Sequence, residues 1–91
     1  MTAAPTLPGL AHLANLRRIL ATILGVPPSD IAVEHDFEDR LAMDELDLFE
    51  LADIIERTYG IEVTEDDVQA LATVGDLCAL LALRNVTVIV P

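Results

Sequence analysis

Between Arg40 and Leu51 the chain reads RLAMDELDLFEL, and the architecture can be worked outward from there. Asp44 is a residue type whose carboxylate caps a helix by accepting from backbone N–H groups of the first turn. Behind it runs a dense mixture of acids and leucines, the start of an amphipathic helix that is predicted to continue to about Tyr59 and to end at Gly60. Upstream, Val26 to Met43 is a long connection for a small domain, and Ile31, Val33, Phe37 and Leu41 are spaced apolar anchors that would pin it across a bundle. Before it, Leu13, Leu16, Leu20 and Ile23 recur at helical spacing and predict a first helix over about Leu10 to Leu24. Arg17 and Arg18 fall on its other side, and Gly25 with Pro27-Pro28 stops it. Downstream, Thr64 caps a short helix over Glu65 to Leu71, with Asp67 at the capping-box position. Thr73 caps a last helix in the same way with Asp76, turning Val74, Leu77, Cys78 and Leu81 inward, and Asn85 can close it.

Composition bounds what such a chain can do. Ninety-one residues make one domain near the small end of what can bury a core. Hydrophobic content of 53% is ample for that core, and aromatic content of 3% makes it aliphatic. The formal net charge of −11 opposes nucleic acid and anionic membrane surfaces, both of which need Lys and Arg. It favours a protein partner with a basic docking patch, approached by electrostatic steering. No apolar run is long enough to span a bilayer. The arginines of the N-terminal segment follow its apolar stretch, the wrong order for a secretory signal, so a cytoplasmic, monomeric protein is expected. The chain divides into an arm over 1–9, a helical domain over 10–85 and an apolar tail over 86–91, whose VTVIV is either a simple terminus or an edge that pairs with another chain.

Three long helices, one short helix, a long pinned first loop and an acidic second helix resemble the acyl carrier protein family over about Leu16 to Leu81. ILGVPPSDI is similar to that family's end of helix one, and YGIEVTEDDV and TVGDL are similar to the starts of its third and fourth helices. FEDRLAMDELDLFEL resembles the modification segment F-x-x-D-L-G-x-D-S-L-D-x-x-E-L. The resemblance implies an all-α, acyl-carrier-like four-helix bundle that is not an enzyme, with synthases or acyltransferases of fatty-acid or polyketide assembly as partners. It also implies phosphopantetheine carried as a phosphodiester on a serine. Here the sequence departs from the family. Arg40-Leu41-Ala42 replaces Asp-Leu-Gly, and Glu45 replaces the serine.

A carboxylate does not form that linkage, so Glu45 is expected to be unmodified and phosphopantetheine to be absent. Glu45 is then a first-turn acid favoured by the helix dipole. The alternatives are a mimic of the missing phosphate charge, a carboxylate that itself carries the acyl group, and an engineered replacement in an ordinary carrier. Without an arm to lead an acyl chain inward, Leu46, Ile54, Ile55, Val68 and Leu81 are expected to pack tightly behind Glu45. The second helix remains a candidate partner-binding face: Asp44, Asp47, Glu50, Asp53 and Glu56 offer acids, and Leu46 and Phe49 apolar contacts. Other candidates are weaker. His12 and His35 lack ligand spacing and are expected at the surface. Cys78 reads as a buried structural thiol. Glu62, Glu65, Asp66 and Asp67 lack the order of a dedicated cation site, so no metal centre is expected. The functional expectation is a non-catalytic interaction module working beside acyl or peptidyl assembly enzymes, with a genuine carrier as the alternative.

Overall fold

The computed structural model describes residues 9–84. A single 3-10 turn, Leu10–His12, leads into α1 (Leu13–Leu24); a second, Pro28–Asp30, opens the long loop. Then come α2 (Glu45–Tyr59), the short α3 (Glu65–Ala70) and α4 (Val74–Leu83). Among the described residues there is no strand, only one isolated antiparallel bridge between Asp36 and Thr73. This is the four-helix arrangement expected. Of the expected arm over residues 1–9, all but Gly9 lies outside the described residues, as do the closing role of Asn85 and the apolar tail.

Local chemistry sets the boundaries. Three capping boxes start three helices: Asp44 with Asp47, Thr64 with Asp67, and Thr73 with Asp76. In the first, the Asp47 amide donates to Asp44 Oδ1 at 2.8 Å and the Asp44 amide donates to Asp47 Oδ2 at 3.1 Å. Each box satisfies donors that helix geometry leaves orphaned. Gly25 and Gly60 close α1 and α2 in the left-handed region, at φ of 70° and 67°.

The core is aliphatic around one aromatic ring. Leu16 and Leu20 of α1, Leu51 and Ile55 of α2, and Leu77 and Leu81 of α4 are fully enclosed with Phe37 of the loop. Burial of each such side chain contributes about 1.5–3 kcal/mol. The loop is therefore part of the structure rather than a tether. Its carbonyls receive the first amides of α4: Val74 donates to His35 O at 3.0 Å and Gly75 to Val33 O at 2.8 Å. The Phe37 amide donates to Ala72 O at 2.9 Å. Ile31 and Phe37 are core anchors as expected, whereas Val33 and Leu41 are only half-buried. Arg17 does not simply face water; its Nε donates to Ile31 O at 2.7 Å and ties α1 to the loop.

Both histidines depart from the expected surface role. His12 is 3% exposed. Its turn lies so close to α4 that a Cβ on Gly9 would sit 1.9 Å from the Cys78 carbonyl oxygen. That approach carries the His12 ring inside, edge-on to Tyr59 at 5.8 Å. His35 is half-buried, and its Nδ1 accepts from the Ala32 amide at 3.0 Å. Cys78 is enclosed as expected, and burial pushes its thiol pKa up, which keeps it unreactive.

Asp67 closes the α3–α4 corner. Its Oδ2 accepts from the Thr64 amide at 2.9 Å and from Arg84 Nη2 at 2.6 Å. The Thr64 amide foremost, with Arg84 behind it, holds this carboxyl below the usual aspartate range against the opposing effect of burial. The lowered folded pKa means its stabilisation is present above the unfolded value, near 3.9, and is lost as pH falls through the folded one. Asp67→Asn is therefore expected to cost about 1 kcal/mol at pH 7. The gap to the parent should narrow in acid, as this carboxyl takes up its proton. Urea melts at pH 7 and in acid check this; an equal gap in both would separate the cost from the charge.

Ala42 is the one described non-glycine residue at positive φ, 51°, just before the α2 cap. An L side chain is strained there by about 1 kcal/mol or more. Ala42→Gly is expected to stabilise the fold by about 0.5–1 kcal/mol, the released strain being partly offset by unfolded-chain entropy. Thermal melting measures it, and an unchanged or lower Tm would contradict the strain.

Candidate functional site: the start of helix α2

Asp44 holds an extended backbone at the cap (ψ −178°), so the chain enters α2 sharply and Glu45, the first helical residue, is presented to solvent. Its carboxylate has no partner among the described residues. One turn of α2 then gathers an apolar pair, Leu46 at 78% exposure and Phe49 at 38%. Glu50 stands exposed beside them. These four residues form one continuous surface at the N-terminal end of the helix.

The other predicted contact residues are placed differently. Asp44 and Asp47 are engaged in the capping box, although Asp44 remains exposed. Asp53 is paired with Arg57 at 3.0 Å, one turn on. Glu56 is half-buried, and its Oε2 accepts from the Val63 amide at 3.1 Å, fixing the α2–α3 connection. Sequence spacing puts all these acids on one helix and allows the cap and the i,i+4 pair, but it does not show that Glu56 is taken by the Val63 amide.

Behind Glu45 the expectation of close packing is not met. A cleft of about 350 Å³ opens between the start of α2 and α3. Met43, Leu48, Phe49, Val68 and Leu71 give it apolar walls, and Glu38, Glu45 and Gln69 a polar mouth. Leu46, expected among the interior residues, points outward instead. Ile55, Val68 and Leu81 are buried as expected, and Ile54 is half-buried. The cleft exists because α3 is only six residues long and packs lightly on α2. Met43, Gln69 and Leu71 were missed as lining residues. Only tertiary packing brings α3 against the helix start, and no spacing in the sequence announces it.

Comparison with known proteins covers most of this scaffold. The family model described as "Phosphopantetheine attachment site" matches residues 14–81. An acyl carrier protein of Rhodococcus erythropolis is 36% identical over 69 residues, covering 76% of this chain and 76% of the relative. An acyl carrier protein of Chlamydia trachomatis is 40% identical over 71 residues, covering 78% and 92%. A meromycolate extension acyl carrier protein of Mycolicibacterium aurum is 35% identical over 69 residues, covering 76% and 71%.

These findings correct the expectation that phosphopantetheine is absent: the family to which the match assigns the chain is the one that normally carries this group. That expectation rested on one side chain, whereas the match runs over residues 14–81. Much of the site fits the group, with a capped, exposed helix start and an apolar cleft beside it. The fit breaks at residue 45 itself, where a carboxylate stands in place of the hydroxyl that the phosphodiester needs. The four-helix scaffold, the capped second helix and the matched sequence together make this chain a member of the acyl carrier protein family, the family of the phosphopantetheine attachment site.

Proposed function

We propose that this chain is an acyl-carrier-type module that docks onto acyl or peptidyl assembly enzymes through the first two turns of α2, without catalysing a reaction itself. The observation that carries the reading is the surface of Leu46 and Phe49 framed by the unpaired carboxylates of Glu45 and Glu50. A large exposed apolar pair inside an acidic frame suits a partner with an apolar socket ringed by Arg and Lys. Meromycolate extension, named for several of the relatives, supports partners of the fatty-acyl elongation kind. Glu45 keeps negative charge at the helix start, where the dipole favours it by about 0.3–1 kcal/mol. A second reading, a carrier that shelters an acyl chain, is favoured by the cleft between α2 and α3.

The test is association with a purified ketoacyl synthase or acyltransferase of fatty-acid assembly, followed by calorimetry or surface binding. Phe49→Ala is expected to weaken binding by about tenfold while leaving the melting temperature near that of the parent, since the ring is partly exposed. Equal binding by Phe49→Ala and Leu46→Ala variants would remove this surface from the interface.

A further inference from the structure

A second cleft, of about 680 Å³, lies on another part of the molecule, between the end of α1 and the loop that precedes α2. Leu24, Val26, Ala32 and Leu41 line it with apolar surface, and Ser29, His35 and Arg40 line it with donors. The state of these donors is unusual for so acidic a chain. All five basic residues are arginines. Arg17 is bound to Ile31 O, Arg18 to Asn15, Arg57 to Asp53 and Arg84 to Asp67. Arg40 has neither an ion-pair nor a hydrogen-bond partner among the described residues, although sixteen acids are available in the chain. His35 is held in one tautomer when neutral, because its Nδ1 accepts from the Ala32 amide, leaving Nε2–H as a donor. That Nε2–H and the Ser29 hydroxyl likewise have no acceptor among the described residues.

We propose that this cleft binds a small monocarboxylate with a short apolar chain. Arg40 supplies the charge, His35 Nε2–H and the Ser29 hydroxyl supply further donors, and Leu24, Val26 and Leu41 receive the apolar part. A guanidinium is the side chain best shaped for a carboxylate, which it can meet with two parallel hydrogen bonds. The volume is that of a small-molecule site. Asp30 on the same lining sets the selectivity. Together with the net charge of −11, it penalises a dianion more than a monoanion, so a carboxylate is preferred over inorganic phosphate. Exposure of Arg40 to solvent limits the affinity to the millimolar range.

Amide chemical shifts of the full chain, titrated separately with hexanoate, hexanol and inorganic phosphate, test this. Hexanoate is expected to give saturable shifts at Ser29, Ala32, His35, Arg40 and Leu41. Hexanol, lacking the charge, and phosphate, lacking the chain and carrying more charge, should each bind several-fold more weakly. Arg40→Gln should lower hexanoate affinity about tenfold with the fold unchanged, because the side chain has no structural partner to lose. His35→Gln should lower it by a smaller factor. The proposal is overturned if hexanoate shifts concentrate at Met43, Phe49 and Val68 in the α2–α3 cleft. It is equally overturned if hexanol binds as well as hexanoate, if phosphate binds better, or if Arg40→Gln leaves the affinity unchanged. None of these outcomes bears on docking through α2, which the Phe49 and Leu46 variants test separately.

Discussion

Glu45→Ser is expected to raise phosphopantetheine labelling at residue 45 from background to near completion when the chain is incubated with coenzyme A and a broad-specificity phosphopantetheinyl transferase. The physical basis is the helix start. Asp44 caps α2 and leaves the first helical side chain exposed, so a hydroxyl placed there is free to act as the nucleophile that the Glu45 carboxylate is not. Serine is well tolerated at the edge of a helix, and the variant loses only a dipole contribution of about 0.3–1 kcal/mol. Intact mass reports the added group, and peptide mapping of parent and variant identifies which residue bears it. Arg40 and the strained Ala42 precede the cap where the family pattern has Asp and Gly. If Glu45→Ser alone labels slowly, adding Ala42→Gly should accelerate it by relaxing the approach to the cap. Failure of both variants to label at residue 45, with their folds intact, would show that more than the missing hydroxyl separates this helix start from an attachment site.

Reversing the charge of Glu45 and Glu50 together to lysine is expected to weaken association with a basic acyl-assembly enzyme by about 10–100-fold at low ionic strength. These two carboxylates are exposed and without partners among the described residues, so the change removes steering and adds repulsion without breaking an internal contact. Asp47 is unsuitable for this experiment because its carboxylate closes the capping box on the Asp44 amide. Asp53 and Glu56 are poorer still, being engaged with Arg57 and with the Val63 amide. Most of the loss should fall in the association rate. The parent's binding should weaken steeply with salt, the variant's much less, because the Debye length falls from about 30 Å at 0.01 M to about 10 Å at 0.1 M. A variant that binds like the parent at every salt concentration would leave the acidic face as solvated surface, and the docking reading would lose its support.

The helix boundaries were legible because capping chemistry is local. Asp44, Thr64 and Thr73 each reach a residue three positions on, and Gly25 and Gly60 each adopt the left-handed turn that few other residues accept. The inward faces of α1 and α4 were legible from period alone, and Leu16, Leu20, Leu77, Cys78 and Leu81 are buried accordingly. Likewise the motif around Asp44 singled out the candidate site without any coordinates, since a helix start and its flanking acids form a contiguous stretch of chain.

What period and capping do not encode is which distant groups meet. His12 is buried because a glycine lets its turn settle on the carbonyl of Cys78, a contact between residues far apart in the chain. Asp53 and Glu56 look equivalent to Glu50 along the helix; Asp53 stays exposed but pairs with Arg57 one turn away, and a loop amide seven residues on engages the half-buried Glu56. The cleft behind Glu45 depends on a six-residue helix packing lightly against α2, and the cleft around Arg40 on how a loop folds back over the end of α1. The sequence by itself determined the helices, their caps, the acidic surplus and the carboxylate at residue 45, all consequences of bonding within a few residues. Tertiary structure alone decided where space remains between the helices and which arginine lacks a partner, because those outcomes depend on long-range packing and on competition among many possible partners in three dimensions.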